Sequence, residues 1–158
     1  MSSPLRTLLP PGGFSNLVGH HVAALDLGLE SLKVVARAPR PSRSASRSAS
    51  APLPSAEESL RACGRREAAW LHAAMGKVAT PTEPPAGAQV EALLGWLDAV
   101  RTVSLMVLRP LADRDLERLV SLPDVPGKTT LRRLLSELLE HQAERRAEIR
   151  LASALPGR

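Results

Sequence analysis

Aromatic residues are nearly missing from this chain: among 158 residues there is no Tyr, one Phe and two Trp. A core must therefore be assembled from Leu, Val and Ala. Strands are enriched in aromatic and β-branched residues, so this composition favours helix packed on helix. There is a single cysteine, Cys63. It excludes an internal disulfide and a four-cysteine zinc site, and it fits a reducing compartment. No run of 18 apolar residues occurs, so neither a membrane span nor a membrane partner is expected. The opening stretch lacks an apolar segment followed by a small-residue cleavage site, so no signal peptide is expected and the default location is cytoplasmic. The scarcity of aromatics also argues against nucleic acid. Lys plus Arg number 21 against 16 Asp plus Glu, a net charge of +5, but Arg40, Arg43 and Arg47 of that excess lie in an acid-free Pro/Ser stretch. A nucleic-acid surface wants its cations on one face, with stacking rings between them.

What is present is helical periodicity. Hydrophobic residues make up 44% of the chain, enough for one core, and the length suits one domain. Residues 1–14, with Pro4, Pro10, Pro11, Gly12 and Gly13, read as an irregular N-terminus, and residues 15–155 read as the helical domain. Ser15 is placed to cap a first helix from Asn16 to about Ala38, with Val18, Val22, Leu25, Leu29 and Leu32 on one face. Pro39 stops it. Residues 39–54 are a flexible Pro/Ser/Arg linker inside the domain. Ser55-Ala56-Glu57-Glu58 is a capping box that starts a second helix to about Val78. Its apolar band is Leu60, Cys63, Leu71, Ala74 and Val78; Glu67 falls inside that band, and Trp70 and His72 lie off its centre. A third helix spans about Ala86 to Arg109. Val90, Leu93, Leu94, Leu97, Ser104 and Leu108 share a face with Arg101, and Trp96, Val103, Met106 and Val107 form a second strip. A helix apolar on two sides is either central or part of a subunit contact, so a homodimer stays open. Residues 113–120 read as a short helical turn, and 121–128 as a loop leading to a fourth helix capped by Thr129 or Thr130.

That fourth helix carries the strongest periodic signal. At about 100° per residue, Leu131, Leu134, Leu135 and Leu138 share a band that continues through His141, Gln142 and Arg145 to Ile149. Three polar residues thus occupy interior positions, where a polar group must be hydrogen-bonded, paired or metal-bound. Arg133, Glu140, Glu144 and Glu148 read as the solvated face. By the same phase Glu67 and Arg101 point inward. Glu67, Arg101, His141 and Arg145 are therefore the candidate ligand-binding cluster.

Several motifs fail. Pro126-Gly127-Lys128-Thr129 resembles the end of a phosphate-binding loop, but Leu122 stands where the first Gly is required and no strand is expected before it. There is no His-Glu-x-x-His and no serine nucleophile elbow. Cys63 with a His partner would make a thiol nucleophile, although a lone Cys on an apolar band more often acts as a small buried hydrophobe.

The stretch from Arg101 to Arg150, RTVSLMVLRPLADRDLERLVSLPDVPGKTTLRRLLSELLEHQAERRAEIR, resembles the C-terminal half of DinB-like helical bundles (the DinB/YfiT superfamily, related to mycothiol-dependent maleylpyruvate isomerases). The segment SLRACGRREAAWLHAA from Ser59 is similar to that family's second helix. The resemblance covers about 100 residues by pattern. It implies a divalent metal, such as zinc or nickel, held by one His on the second helix and two on the fourth. His141 matches the first His of the fourth helix. The second falls at Arg145, which cannot ligate a cation. The second-helix position falls at Ala62 to Gly64, where Cys63 is the one residue able to ligate. His141 and Cys63 are thus the surviving metal candidates of a degenerate site.

The expectation is an all-α, antiparallel four-helix bundle with a long first crossover. Its expected role is to bind a small molecule or a partner rather than to catalyse. The rival readings are a metal- or thiol-dependent transferase or hydrolase using His141 and Cys63, and a helical oligomerisation module.

Overall fold

The computed structural model describes residues 16–39, 53–76 and 79–154. Ser15, Val78 and most of the 39–54 linker lie outside the described residues. The described chain is mostly helical, with four α-helices and one small two-stranded sheet. Helix α1 is Asn16–Arg37, α2 is Ala56–Glu67, α3 is Val90–Leu108 and α4 is Leu131–Ala154. Helix α1 packs on α4 and α3, and α2 packs on both α3 and α4.

The starts of α2 and α4 follow local chemistry. The Ser55 side chain accepts from the Glu58 amide, and the Glu58 carboxylate accepts from the Ser55 amide at 2.5 Å, so two orphan donors are satisfied reciprocally. Thr130 Oγ1 accepts from the Arg133 amide, making Thr130 the cap of α4. The first turn of α1 is capped from far away in sequence. Asp113 Oδ1 accepts from the amides of Leu17 and Val18, which puts a negative charge at the positive end of the helix.

Four expectations are corrected. Helix α3 begins at Val90 rather than near Ala86, because Gly87 sits at φ +83° and Gln89 is extended. Residues 113–120 are not one helical turn. A 3-10 helix, Asp113–Glu117, gives way to strand β1, Leu119–Ser121, which pairs antiparallel with β2, Lys128–Thr130. A strand does precede the Gly127-Lys128-Thr129 sequence, but it turns back in a hairpin instead of entering a helix. Finally, α2 is followed by a π turn over Ala68–His72.

The buried apolar residues separate into two lobes. One joins Leu29 and Leu32 of α1, Leu60 and Cys63 of α2, Leu93, Leu97 and Val100 of α3, and Ile149 of α4. The other joins Val18, Val22 and Leu25 of α1, Leu71, Leu108, Leu116, and Leu131 to Leu138 of α4. Most polar interior residues fall between the lobes: Asp26 between Leu25 and Leu29, Glu67 between Cys63 and Leu71, Arg101 and Ser104 between Val100 and Leu108, and His141 and Gln142 between Leu138 and Ile149; Ser59 lies within the first lobe and His72 just past Leu71. The fold therefore carries a polar layer through the middle of an aliphatic core.

Candidate functional site

Glu67 and Arg101 meet as the inward phase of α2 and α3 requires. Arg101 Nε and Nη2 donate to the two Glu67 carboxylate oxygens at 2.8 and 2.9 Å, a bidentate pair with both side chains about 6% exposed. Arg101 Nη1 reaches Asp26 Oδ1 of α1 at 3.0 Å. Ser104 Oγ, one turn further along α3, donates to Glu67 Oε1 at 2.5 Å. Burial by itself would push the Glu67 carboxyl up. The Arg101 charge and its hydrogen bonds, with help from Ser104, outweigh that and hold it below the ordinary carboxylate range. Arg101 is correspondingly locked in its charged form.

His72 completes this network. Its Nε2 lies 3.1 Å from Ser104 Oγ. The single Ser104 proton has only acceptors on its other sides, the Glu67 carboxylate at 2.5 Å and the Val100 carbonyl at 3.1 Å, so the shared hydrogen toward the ring belongs to His72 Nε2. The ring is then neutral, with Nδ1 left as an acceptor, and Nδ1 is buried without a hydrogen-bond partner. Burial lowers the His72 pKa against the opposing pull of Glu67 and of the Val100 backbone carbonyl.

His141 and Arg145 do not join Glu67. His141 Nε2 donates to the Ala62 carbonyl at 3.3 Å. Arg145 Nη1 pairs with Glu148 Oε2 at 2.9 Å, and Ser59 Oγ donates to the same oxygen. Glu148, expected on the solvated face, is therefore half-buried and bonded to α2. Cys63 feels the charges of both groups: burial first, then Glu67, raise its thiol to about 12, while Arg145 and Arg101 pull the other way. Gln142 Oε1 and Arg145 Nε are buried without partners. The four candidate residues thus form two separate sets, Glu67 with Arg101, and His141 near Arg145.

A divalent metal does not fit the second set. Cys63 is buried, and His141 Nε2, the ring nitrogen turned toward α2, is engaged with the Ala62 carbonyl. Burial lowers the pKa of His141, and the cations of Arg66 and Arg145 lower it further; the same charges repel a metal ion. Among the described residues no group of three or more His, Cys, Asp and Glu is placed to hold a metal.

His72, Ser104 and Asp26 were not among the sequence candidates. At an α-helical pitch, His72 lies roughly 140° round from Glu67. In a turn closed by i→i+5 bonds, a residue five positions on returns nearly to the starting face. Nothing in AAWLH announces that turn. Ser104 and Asp26 did carry a signal, since Ser104 lies on the apolar stripe of α3 and Asp26 is four residues after Val22.

Beside the π turn is a cleft of about 630 Å³, lined by Ala68, Ala69, His72 and Ala73, by Pro81 and Glu83, and by Trp96 of α3. The 80–85 stretch forming one wall is tied down. Trp96 Nε1 donates to the Pro81 carbonyl at 3.2 Å, Arg65 makes two 2.8 Å bonds to Glu83, and Arg61 donates to Glu83 and to the Pro84 and Pro85 carbonyls. Gly64 leaves room for the Trp96 ring, because a Cβ there would come within 2.4 Å of it.

No helix among the described residues is long and apolar enough to cross a membrane. No family model, no curated protein and no solved structure matches the chain.

Proposed function

We propose that this chain is a DinB-like antiparallel four-helix bundle, with a long first crossover, that binds a small ligand without using a metal. The observation that carries this reading is the disposal of charge at the degenerate metal position. The His141 ring meets α2 at Ala62, at the place where the family resemblance puts the second-helix His. There the neighbouring cations are Arg66 and Arg145, the second already paired to Glu148. Glu67, one turn beyond Cys63 on α2, is committed to Arg101. Protein cations thus fill the role a metal would fill elsewhere. Small-ligand binding is supported by the cleft beside the π turn, whose walls are mostly apolar with a few polar groups, as ligand sites commonly are.

The enzyme reading through Cys63 and His141 is weaker, because a thiol raised to about 12 is not a nucleophile at neutral pH. The oligomerisation reading loses much of its second strip on α3. Trp96 is buried and bonded to Pro81, leaving Met106 as the exposed large residue of the strip.

Metal analysis of the purified protein, together with thermal unfolding with and without added zinc or nickel, tests the metal-free reading. The expected result is substoichiometric metal and an unchanged melting temperature. Stoichiometric zinc or nickel that stabilises the fold and is lost in His141→Ala would overturn it.

A further inference from the structure

We infer that the cleft beside the π turn binds an uncharged, largely apolar molecule through one slim hydrogen-bond donor, a hydroxyl, with His72 Nδ1 as its acceptor. This rests on the small-ligand reading above and names the site and the ligand class.

The acceptor role follows from the chain behind the ring. Glu67 is held as a carboxylate and takes the Ser104 proton; Ser104 Oγ therefore accepts from His72 Nε2, and the tautomer is fixed. Nδ1 is left as a lone pair, buried and without a partner, in a residue that lines the cleft. An unanswered buried acceptor is costly, and a donor that meets it recovers that cost. A cationic ligand is not called for. The acid on the cleft wall, Glu83, is already neutralised by Arg65 and Arg61, and the acid behind His72 by Arg101. An anion is disfavoured by the bare lone pair and finds no free cation in Arg65. The remaining surface, alanine methyls, Gly76, two prolines and the Trp96 ring with Thr80 as its one further polar side chain, suits an aliphatic or alicyclic body. Because Nδ1 shows almost no surface to a water-sized group, a donor meets it only with a small shift of the cleft wall, and a hydroxyl asks for a smaller shift than a branched or charged head.

Cyclohexanol and cyclohexanone make the comparison, since they match in size and differ in the donor. Each is titrated into the full-length protein while the Trp96 indole N–H and the His72 ring signals are followed by NMR. Cyclohexanol is expected to shift both saturably. Cyclohexanone, and cyclohexanol with His72→Phe, are expected to bind about tenfold more weakly, as befits loss of one hydrogen bond at a buried site. Ala69→Phe, at an exposed position on the cleft wall, is expected to abolish the shifts and guards against a misfolded His72 variant. Equal affinity for both compounds, or full binding by His72→Phe, would overturn the donor–acceptor assignment. Full binding by Ala69→Phe would overturn the location. Saturable shifts confined to His141 and Gln142 would overturn the cleft and leave the small-ligand reading standing; no saturable shift anywhere with either compound would overturn both.

Discussion

The two ends of the polar layer solve the same problem unequally. At the Glu67 end, both carboxylate oxygens, all three guanidinium nitrogens of Arg101 and the Ser104 hydroxyl have partners, and the ion pair is about 6% exposed on each side. At the Arg145 end, the pair with Glu148 is roughly a quarter exposed, while Arg145 Nε and Gln142 Oε1 have no partner. The first end has geometry that only a dry interior can enforce. The second has slack. A buried network that is fully satisfied makes the structure specific, whereas a partly satisfied one tolerates change. The comparison also explains why Glu67 and Arg101 are poor candidates for ligand contact: their bonding capacity is used.

The largest effect should come from breaking the saturated end. Arg101→Met leaves Glu67 buried without a counter-charge, and urea unfolding should show a loss of about 3–5 kcal/mol. Adding Glu67→Gln to that variant should recover a large part of it, since the uncompensated charge is then gone. Arg145→Met should cost no more than about 1 kcal/mol, because its pair is about a quarter exposed and water can reach the carboxylate left behind. Similar losses for Arg101→Met and Arg145→Met would erase the distinction between the two ends.

Next in size is the acid response. His72 and His141 both have pKa values lowered, in each case chiefly by burial. The unfolded chain then takes up these protons first as pH falls. Stability should be flat above about pH 6.5, the ordinary histidine value, and decline as pH drops below it through the folded values. Glu67 is depressed as well, so its contribution persists above the ordinary carboxylate value and is lost only as pH falls through its lower folded value. Urea midpoints followed from neutral pH downward should therefore show a histidine phase before the carboxylate phase. His141→Asn should shrink the first phase and leave the second, while Glu67→Gln should shrink the second and, by removing the charge that holds the His72 pKa up, deepen the first. A first phase unchanged in both His141→Asn and His72→Gln would show that other groups carry it.

Much of this arrangement is readable in the sequence, and the failures have local causes. The stripe Leu131, Leu134, Leu135, Leu138 and the inward phase of His141, Gln142, Glu67 and Arg101 follow from a regular 3.6-residue period, and all eight residues are buried. The Ser55 capping box is legible because both of its partners lie within four residues. His72 was lost because the π turn changes the period without a sequence marker, and phase arithmetic fails beyond such a turn. Glu148 was misread because its Ser59 partner lies 89 positions away and no periodic rule reports it. The β1–β2 hairpin was missed because three-residue strands are too short to show alternation. The split of the four-residue cluster was equally hidden: helix phase says which residues face inward, but not at what depth along the layer each one finds its partner.

The smallest effect should come from Gly28, on α1 against the slack end. A Cβ at this position would approach Gln142 Oε1 at 2.5 Å, which would force a shift. That oxygen has no hydrogen bond to lose, and it is the far end of a flexible side chain. Alanine in a helix interior gains about 0.5–1 kcal/mol over glycine by restricting the unfolded chain. The gain and the cost of moving the amide should nearly cancel, so Gly28→Ala should lie within about 0.5 kcal/mol of the parent in urea unfolding, with Leu139, at 3.6 Å from that Cβ, in ordinary contact. A loss of several kcal/mol would mean that the Gln142 amide is held in place after all. The slack end would then be as tightly built as the Glu67 end, with a partner for Gln142 still to be found.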